Sequence, residues 1–309
     1  MKRYRWIGLL LLFIMAGGPH AMAAEVTLML DWFPNVDHLP IYVAQEKGYF
    51  SEENLQVTIL SPSDTSDALK LAVAGKVDLA VSYEPQTIIA AAEGLPVRVV
   101  GRLVEHPLTT LLFLKEKGYS DPSALSGKAI GYTVPGLMDV LLKAFAKING
   151  IENYTAVNVG FNIVAPLTSG QVDAVMGPFK TYETVTMAAK GIEAGYFELE
   201  KWGVPDYDEL IFICGPASLT RKADAINGFV KAVARGLADA RTRPEDALRA
   251  YFQAVPDVDQ AIERAAFERT RPYFAQTQAI DQDRWQAFAD FALTHGLIDR
   301  PVKVAALLP

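Results

Sequence analysis

The sequence predicts an α/β protein folded as two lobes over largely parallel sheets. Short apolar runs alternate with amphipathic stretches that end at glycines, the pattern of strands joined by crossover helices. One segment also has an internal echo. Leu71-Ala72-Val73-Ala74-Gly75-Lys76-Val77-Asp78-Leu79-Ala80-Val81 returns in altered form as Leu167-Thr168-Ser169-Gly170-Gln171-Val172-Asp173-Ala174-Val175-Met176. Both read as helix end, glycine stop, polar residue, Val-Asp and apolar strand, and each then opens into a polar, aromatic loop. Finally, a chain of 309 residues is long enough for two lobes with substantial cores.

The elements follow in order. Lys2, Arg3 and Arg5 precede the apolar run Trp6 to Gly17, and Ala21-Met22-Ala23 has the small-x-small form of a cleavage site. Residues 1–23 therefore read as a secretory signal peptide, and the mature chain is expected in the periplasm. No later run reaches the roughly 18 apolar residues of a membrane span. The leader holds three of the 29 basic residues and no acidic one, so its loss takes the formal net charge from −7 to −10. So acidic a chain argues against nucleic acid as a partner. The single cysteine, Cys214, lies in the apolar run Leu210 to Cys214 and reads as a buried structural thiol.

Val26–Leu30 is the first strand. A helix from Leu39 to Lys47 follows, stopped by Gly48, and then a strand over Leu55–Leu60. Asp64-Thr65-Ser66-Asp67 caps a helix that Gly75 stops, and Val77–Val81 is a buried strand running into Ser82-Tyr83-Glu84-Pro85-Gln86. The second lobe is read from Lys115, with a strand at Ala129–Thr133, the turn Val134-Pro135-Gly136 and a helix from Met138. The chain returns along Glu209–Ile213 and is mainly helical from Lys222. Lobe one is thus expected over 24–114 and 212–309, lobe two over 115–211, with a hinge of two crossings near 112–116 and 210–214.

In open α/β sheets ligands sit beyond the carboxyl ends of the strands. The loops there carry chemistry suited to a flat polar heterocycle. Trp32, Tyr83, Tyr182 and Tyr207 can stack on a ring, Asn35, Asp37 and His38 can read its edge, and Glu183 can accept from an exocyclic amine. The residues alone leave a plainer alternative open, in which the aromatics plug the core and Glu183 is a helix-start carboxylate. Glu84 and Glu209 read as structural or hinge residues. No catalytic constellation is visible. His38, His106 and His295 have no metal-ligand spacing, and the nucleophile-elbow and phosphate-cradling glycine motifs are absent. Neither a metal nor a cofactor is expected.

The run Leu30-Asp31-Trp32-Phe33-Pro34-Asn35, with Tyr42-Val43-Ala44 and Glu46-Lys47-Gly48-Tyr49-Phe50, resembles the thiamine-pyrimidine-precursor binding proteins of bacterial ABC importers. So do Val81-Ser82-Tyr83-Glu84-Pro85 and Gly203-Val204-Pro205 with Glu209-Leu210. The resemblance spans essentially the whole mature chain. It implies the two-lobed periplasmic binding protein fold (type II), a monomer that delivers its solute to a membrane permease, and a cleft closing on a 4-aminopyrimidine. By that likeness Trp32 and Asn35 line the cleft, Tyr83 flanks the ring and Glu183 meets the amino edge; with His38 and Tyr182 from the loop reading, these six are the expected ligand-binding residues. The family's loop commonly reads Asn-Thr-Asn-His, whereas this chain has Asn35-Val36-Asp37-His38, which changes what the loop can donate. Tyr132-Thr133-Val134-Pro135-Gly136 likewise departs from the family's glycine-rich loop. The wider superfamily takes nitrate, taurine, alkanesulfonates and riboflavin-like rings, and related fungal pyrimidine synthases are enzymes with a cysteine-rich iron motif that this chain lacks.

Overall fold

A computed structural model describes residues 22–309. The expected leader therefore lies, apart from Met22 and Ala23, outside the described residues. Among those residues no helix is long and apolar enough to cross a membrane.

Among the described residues ten strands carry the fold: β1 (Ala24–Met29), β2 (Leu55–Leu60), β3 (Leu79–Ser82), β4 (Arg98–Val104), β5 (Thr109–Leu114), β6 (Ala129–Tyr132), β7 (Thr155–Asn158), β8 (Ala174–Phe179), β9 (Ala194–Glu198) and β10 (Leu210–Cys214). They form two sheets, in the orders β2-β1-β3-β10-β4 and β7-β6-β8-β5-β9. The two sheets share one plan. Three parallel strands linked by helical crossovers are followed by a fourth strand antiparallel to both neighbours. In each sheet that fourth strand is the one arriving from the other sheet, and it enters from the opposite end because the chain has just crossed the gap.

The Val-Asp echo has a structural explanation. Asp78, just before β3, accepts from the Thr27 backbone N–H at 2.8 Å, and Asp173, just before β8, accepts from the Ala129 N–H at 3.3 Å. Each carboxylate thus pins the start of its own strand to the neighbouring parallel strand. Both strands then end at the gap between the sheets, at Tyr83 on one side and at Lys180-Thr181-Tyr182-Glu183 on the other.

Where the chain crosses differs from the reading of the sequence. Thr109–Leu114, expected to close lobe one, is a central strand of the second sheet, paired with β8 and β9. The crossings are the segments between β4 and β5 and between β9 and β10, so both lie several residues earlier than the expected 112–116 and 210–214, the latter being β10 itself. All six residues of β5 are buried, and a run buried on both faces carries no alternation to show which sheet it joins.

The C-terminal helices pack on the first sheet's side. The helix Pro216–Thr242 packs along Leu39–Glu46 so closely that a Cβ on Gly236 would lie 2.0 Å from the Pro40 carbonyl oxygen, so only glycine fits there. Cys214 is fully buried in β10.

The crossings are laced together by two buried acids. The Glu209 carboxylate accepts from the Thr109 N–H at 2.8 Å, the Thr109 hydroxyl at 2.7 Å, the Tyr207 hydroxyl at 3.2 Å and the Leu108 N–H. Glu84 accepts from the Asp208 N–H at 2.7 Å, and Asp208 is itself held by Arg102, Arg284 and the Trp285 indole. The hinge reading of Glu84 and Glu209 agrees with this geometry. Tyr207 is fully buried, its hydroxyl on Glu209 and its ring edge-on to Phe288, and it does not reach a ligand loop. Glu209→Ala would strand these buried donors at about 1–3 kcal/mol each, so urea unfolding should show a loss of at least about 3 kcal/mol, with Glu209→Gln losing less.

Candidate functional site

Where the strand ends of the two sheets face one another, a cavity is lined by Asp31, Trp32, Asn35, Asp37, His38, Tyr83 and Leu210 from the first sheet's side. Thr133, Ile163, Gly177, Phe179 and Glu183 line it from the second. Five of the six residues expected at the site, Trp32, Asn35, His38, Tyr83 and Glu183, meet here. Tyr182 is absent from the lining. Its hydroxyl donates to Glu263 at 2.7 Å, tying the second lobe to the helix Gln260–Thr270 of the first.

Local sequence explains each placement. Asn35 caps the short helical turn Val36–His38, its Oδ1 accepting from the Asp37 N–H at 2.8 Å, so the amide nitrogen is what it offers the cavity. Asp31 holds two neighbours, His38 Nε2 at 2.9 Å and the Tyr83 hydroxyl at 2.7 Å, and both rings are thereby fixed in orientation. His38 Nδ1 is buried without a protein partner. Trp32 is half-buried and packs edge-on to Phe161 of the second lobe at a centroid distance of 4.6 Å, so it serves both packing and lining. Glu183 opens the helix Glu183–Ala189 and accepts from the Phe179 N–H at 2.7 Å; it is a helix-start carboxylate that also lines the cavity.

Residues not singled out from sequence complete the walls. Gly177, at φ +125°, lets Thr133 approach until an added Cβ would be 2.0 Å from its Oγ1. Asp31 and Thr133 carried no signal beyond lying in loops after strands. Asp37 was visible as a polar group in the right loop, but not as the group with a free oxygen. Its Oδ1 accepts from the Thr270 hydroxyl at 2.9 Å, whereas Oδ2 is buried and has no partner.

The cavity is acidic. Three carboxylates and one imidazole line it, and none of its described lining residues is a lysine or arginine. Burial pushes the Asp37 carboxyl up to about 7, with His38 and the Thr270 hydroxyl opposing and Glu183 and Glu263 adding to the rise. Burial likewise lifts Glu183 to about 7 against the pull of the backbone N–H groups it accepts from. Glu209 at the hinge is raised to about 7 for the same reason. A carboxyl raised in the folded state binds protons there that the unfolded chain has already released. Its stabilisation is full below the ordinary carboxylate range and is lost as pH rises through about 7. The unliganded protein should therefore melt higher near pH 5.5 than near pH 8, by at least about 3 °C, and Asp37→Asn with Glu183→Gln should flatten that slope in a thermal-melt series.

The model of the NMT1/THI5-like family matches residues 35–247. A Haemophilus influenzae protein named for thiamine biosynthesis is 37% identical over 286 residues, covering 91% of this chain and 90% of its own. The formylaminopyrimidine-binding protein of Halalkalibacterium halodurans is 30% identical over 98% of this chain and 97% of its own. A Legionella pneumophila relative named 4-amino-5-hydroxymethyl-2-methylpyrimidine phosphate synthase is 29% identical over 90% and 89%. Among solved structures, the alkanesulfonate-binding protein of Xanthomonas axonopodis superposes with a TM-score of 0.73 at 17% identity, covering 94% of this chain and 99% of that one. That likeness bears out the expected two-lobed binding-protein fold. The family match over most of the chain, with relatives that cover it almost end to end, makes this protein a member of the NMT1/THI5-like family.

Proposed function

We propose that this protein is the extracytoplasmic solute-binding component of an ABC importer, and that its cleft takes an aminopyrimidine thiamine precursor of the formylaminopyrimidine or hydroxymethylpyrimidine type. The observation that carries the reading is the cavity between the sheets, walled by aromatic faces and carboxylates without a lining lysine or arginine. A flat ring can lie against Trp32 and Tyr83, give its amino hydrogens to Glu183 and accept from the Asn35 amide. A sulfonate or nitrate would enter a site whose charged groups repel it. At an effective dielectric near 20, one like charge at 4 Å costs about 4 kcal/mol. The formylaminopyrimidine-binding relative supports the same solute class.

The mechanism follows from where the lining residues sit. Asn35, Tyr83 and Trp32 move with one lobe and Glu183 with the other, so a bound ring bridges the two and favours the closed form by contacts that exist only there. The protein already supplies part of that closure. Thr65 donates to the Thr133 carbonyl at 2.8 Å, Arg269 to the Thr184 hydroxyl at 3.0 Å, and Lys180 sits 5.1 Å from the Tyr273 ring centre. A micromolar solute needs only about 8 kcal/mol in all, within reach of one stacked ring, one charge-assisted hydrogen bond and a few neutral ones. The closed form would then dock on the permease.

Some relatives are named synthases, and a synthase would need a reactive centre at this cleft. The chain's one cysteine, Cys214, is fully buried in β10 and lies outside the cavity lining, which favours binding over turnover.

A thermal-shift screen of the mature protein should give a rise with 4-amino-5-hydroxymethyl-2-methylpyrimidine or formylaminopyrimidine and none with taurine, nitrate or riboflavin. A shift with an anion instead would overturn the solute assignment. By calorimetry, Glu183→Gln should weaken the aminopyrimidine at least about tenfold. Trp32→Ala should weaken aromatic heterocycles as a class, and a folded variant with unchanged affinity would make Trp32 a packing residue only.

A further inference from the structure

Asp37 presents a feature that a single amino edge does not use. Its carboxylate is 1% exposed and lines the cavity from the first lobe. One oxygen is fixed by the Thr270 hydroxyl at 2.9 Å, and the other is buried with no partner. Its backbone N–H is already bonded to Asn35 Oδ1, so the turn holds the side chain in place. Glu183 lines the same cavity from the second lobe, with one oxygen committed to the Phe179 N–H. The third acid, Asp31, has both oxygens engaged, by His38 and Tyr83.

The surroundings of Asp37 set its charge balance. His38 is the one basic group in the lining, and its Nε2 is occupied by Asp31. Glu183 and Glu263 both act on Asp37 as like charges, and Glu263 takes the Tyr182 and Tyr251 hydroxyls. A neutral ring that turns its amino group to Glu183 leaves Asp37 Oδ2 without a donor, which costs about 1–3 kcal/mol for a buried acceptor. A ring protonated on nitrogen supplies a second N–H and a positive charge between the buried Asp37 and the half-buried Glu183 carboxylates.

We propose that Asp37 is a specificity-determining residue: with Glu183 it forms a clamp of two carboxylates, one from each lobe, that selects a cationic amino-heterocycle over its neutral isostere. The inference rests on the aminopyrimidine reading for its ligand class and adds the charge state that the site prefers. It also assigns the first lobe an anchor whose engagement requires the lobes to be closed on the ligand.

The test uses 4-aminopyridine, which is protonated at neutral pH, and aniline, its uncharged isostere, titrated calorimetrically into the wild-type protein and Asp37→Asn. Asp37→Asn keeps the size of the side chain and an oxygen for the Thr270 hydroxyl, and a thermal melt checks its fold. The wild type should bind the cation at least about tenfold more tightly than aniline, and Asp37→Asn should narrow that ratio about tenfold. An equal ratio in both proteins overturns the proposal. So does a wild type that does not favour the cation, a result that stands even where the variant does not fold. A parallel titration with 4-amino-5-hydroxymethyl-2-methylpyrimidine separates the two readings. If the wild type binds it while the cation ratio is insensitive to Asp37, the clamp falls and the solute assignment survives. If the wild type ignores it yet favours the cation through Asp37, the clamp survives and the pyrimidine assignment falls.

Discussion

The crossings between the sheets must be held together without being made rigid, and the Glu209 carboxylate meets that constraint. From the end of one crossing it gathers the Leu108 and Thr109 N–H groups and the Thr109 hydroxyl from the other, with the Tyr207 hydroxyl from its own. Leu108 lies just before β5 and Thr109 is its first residue, so at the strand's start their N–H groups turn to a side chain. One buried acceptor solves this where the two crossings meet. Glu84 repeats the device one residue away by accepting from the Asp208 N–H. The register of β5 and β10, the facing of the two sheet ends and the shape of the cleft all depend on this local arrangement.

The cleft in turn concentrates acid where most interiors avoid it. Gathering the buried Asp31 and Asp37 with the half-buried Glu183 is tolerable because each has at least one strong hydrogen bond, and because Asp37 and Glu183 are raised toward neutrality by their surroundings. The charge that remains uncompensated is what a ligand can answer. Among the described residues that line it there is no lysine or arginine, so the cavity's own charges are acidic apart from His38.

The candidate site was legible in the sequence to the degree that it lies in loops directly after strands. Trp32, Asn35 and His38 follow β1, and Tyr83 follows β3, so a correct strand assignment sufficed to place them at the gap. Glu183 came through the echo of Val77-Asp78 in Val172-Asp173, which marks the same topological position in the second lobe. Tyr182 shows the limit of that inference. It stands beside Glu183 in sequence, but the start of a helix turns successive side chains in different directions, and its hydroxyl reaches Glu263 instead of the cavity. Asp37 and His38 form a similar pair: both line the cavity, but one keeps a free carboxylate oxygen while the other is drawn to Asp31.

The amino-acid sequence alone determined the α/β class, the two-lobed plan, the helical character of the C-terminal part and the loops that line the candidate site. These follow from periodicity, glycine stops and capping residues, which act over a few positions along the chain. Only the tertiary structure decided that Thr109–Leu114 joins the second sheet, that Tyr182 serves an interlobe bond, and that Asp37 Oδ2 is left without a donor. Each of these depends on partners far away in sequence, such as Glu198, Glu263 and Thr270, whose proximity exists only after the sheets have formed and the crossings have brought the lobes together.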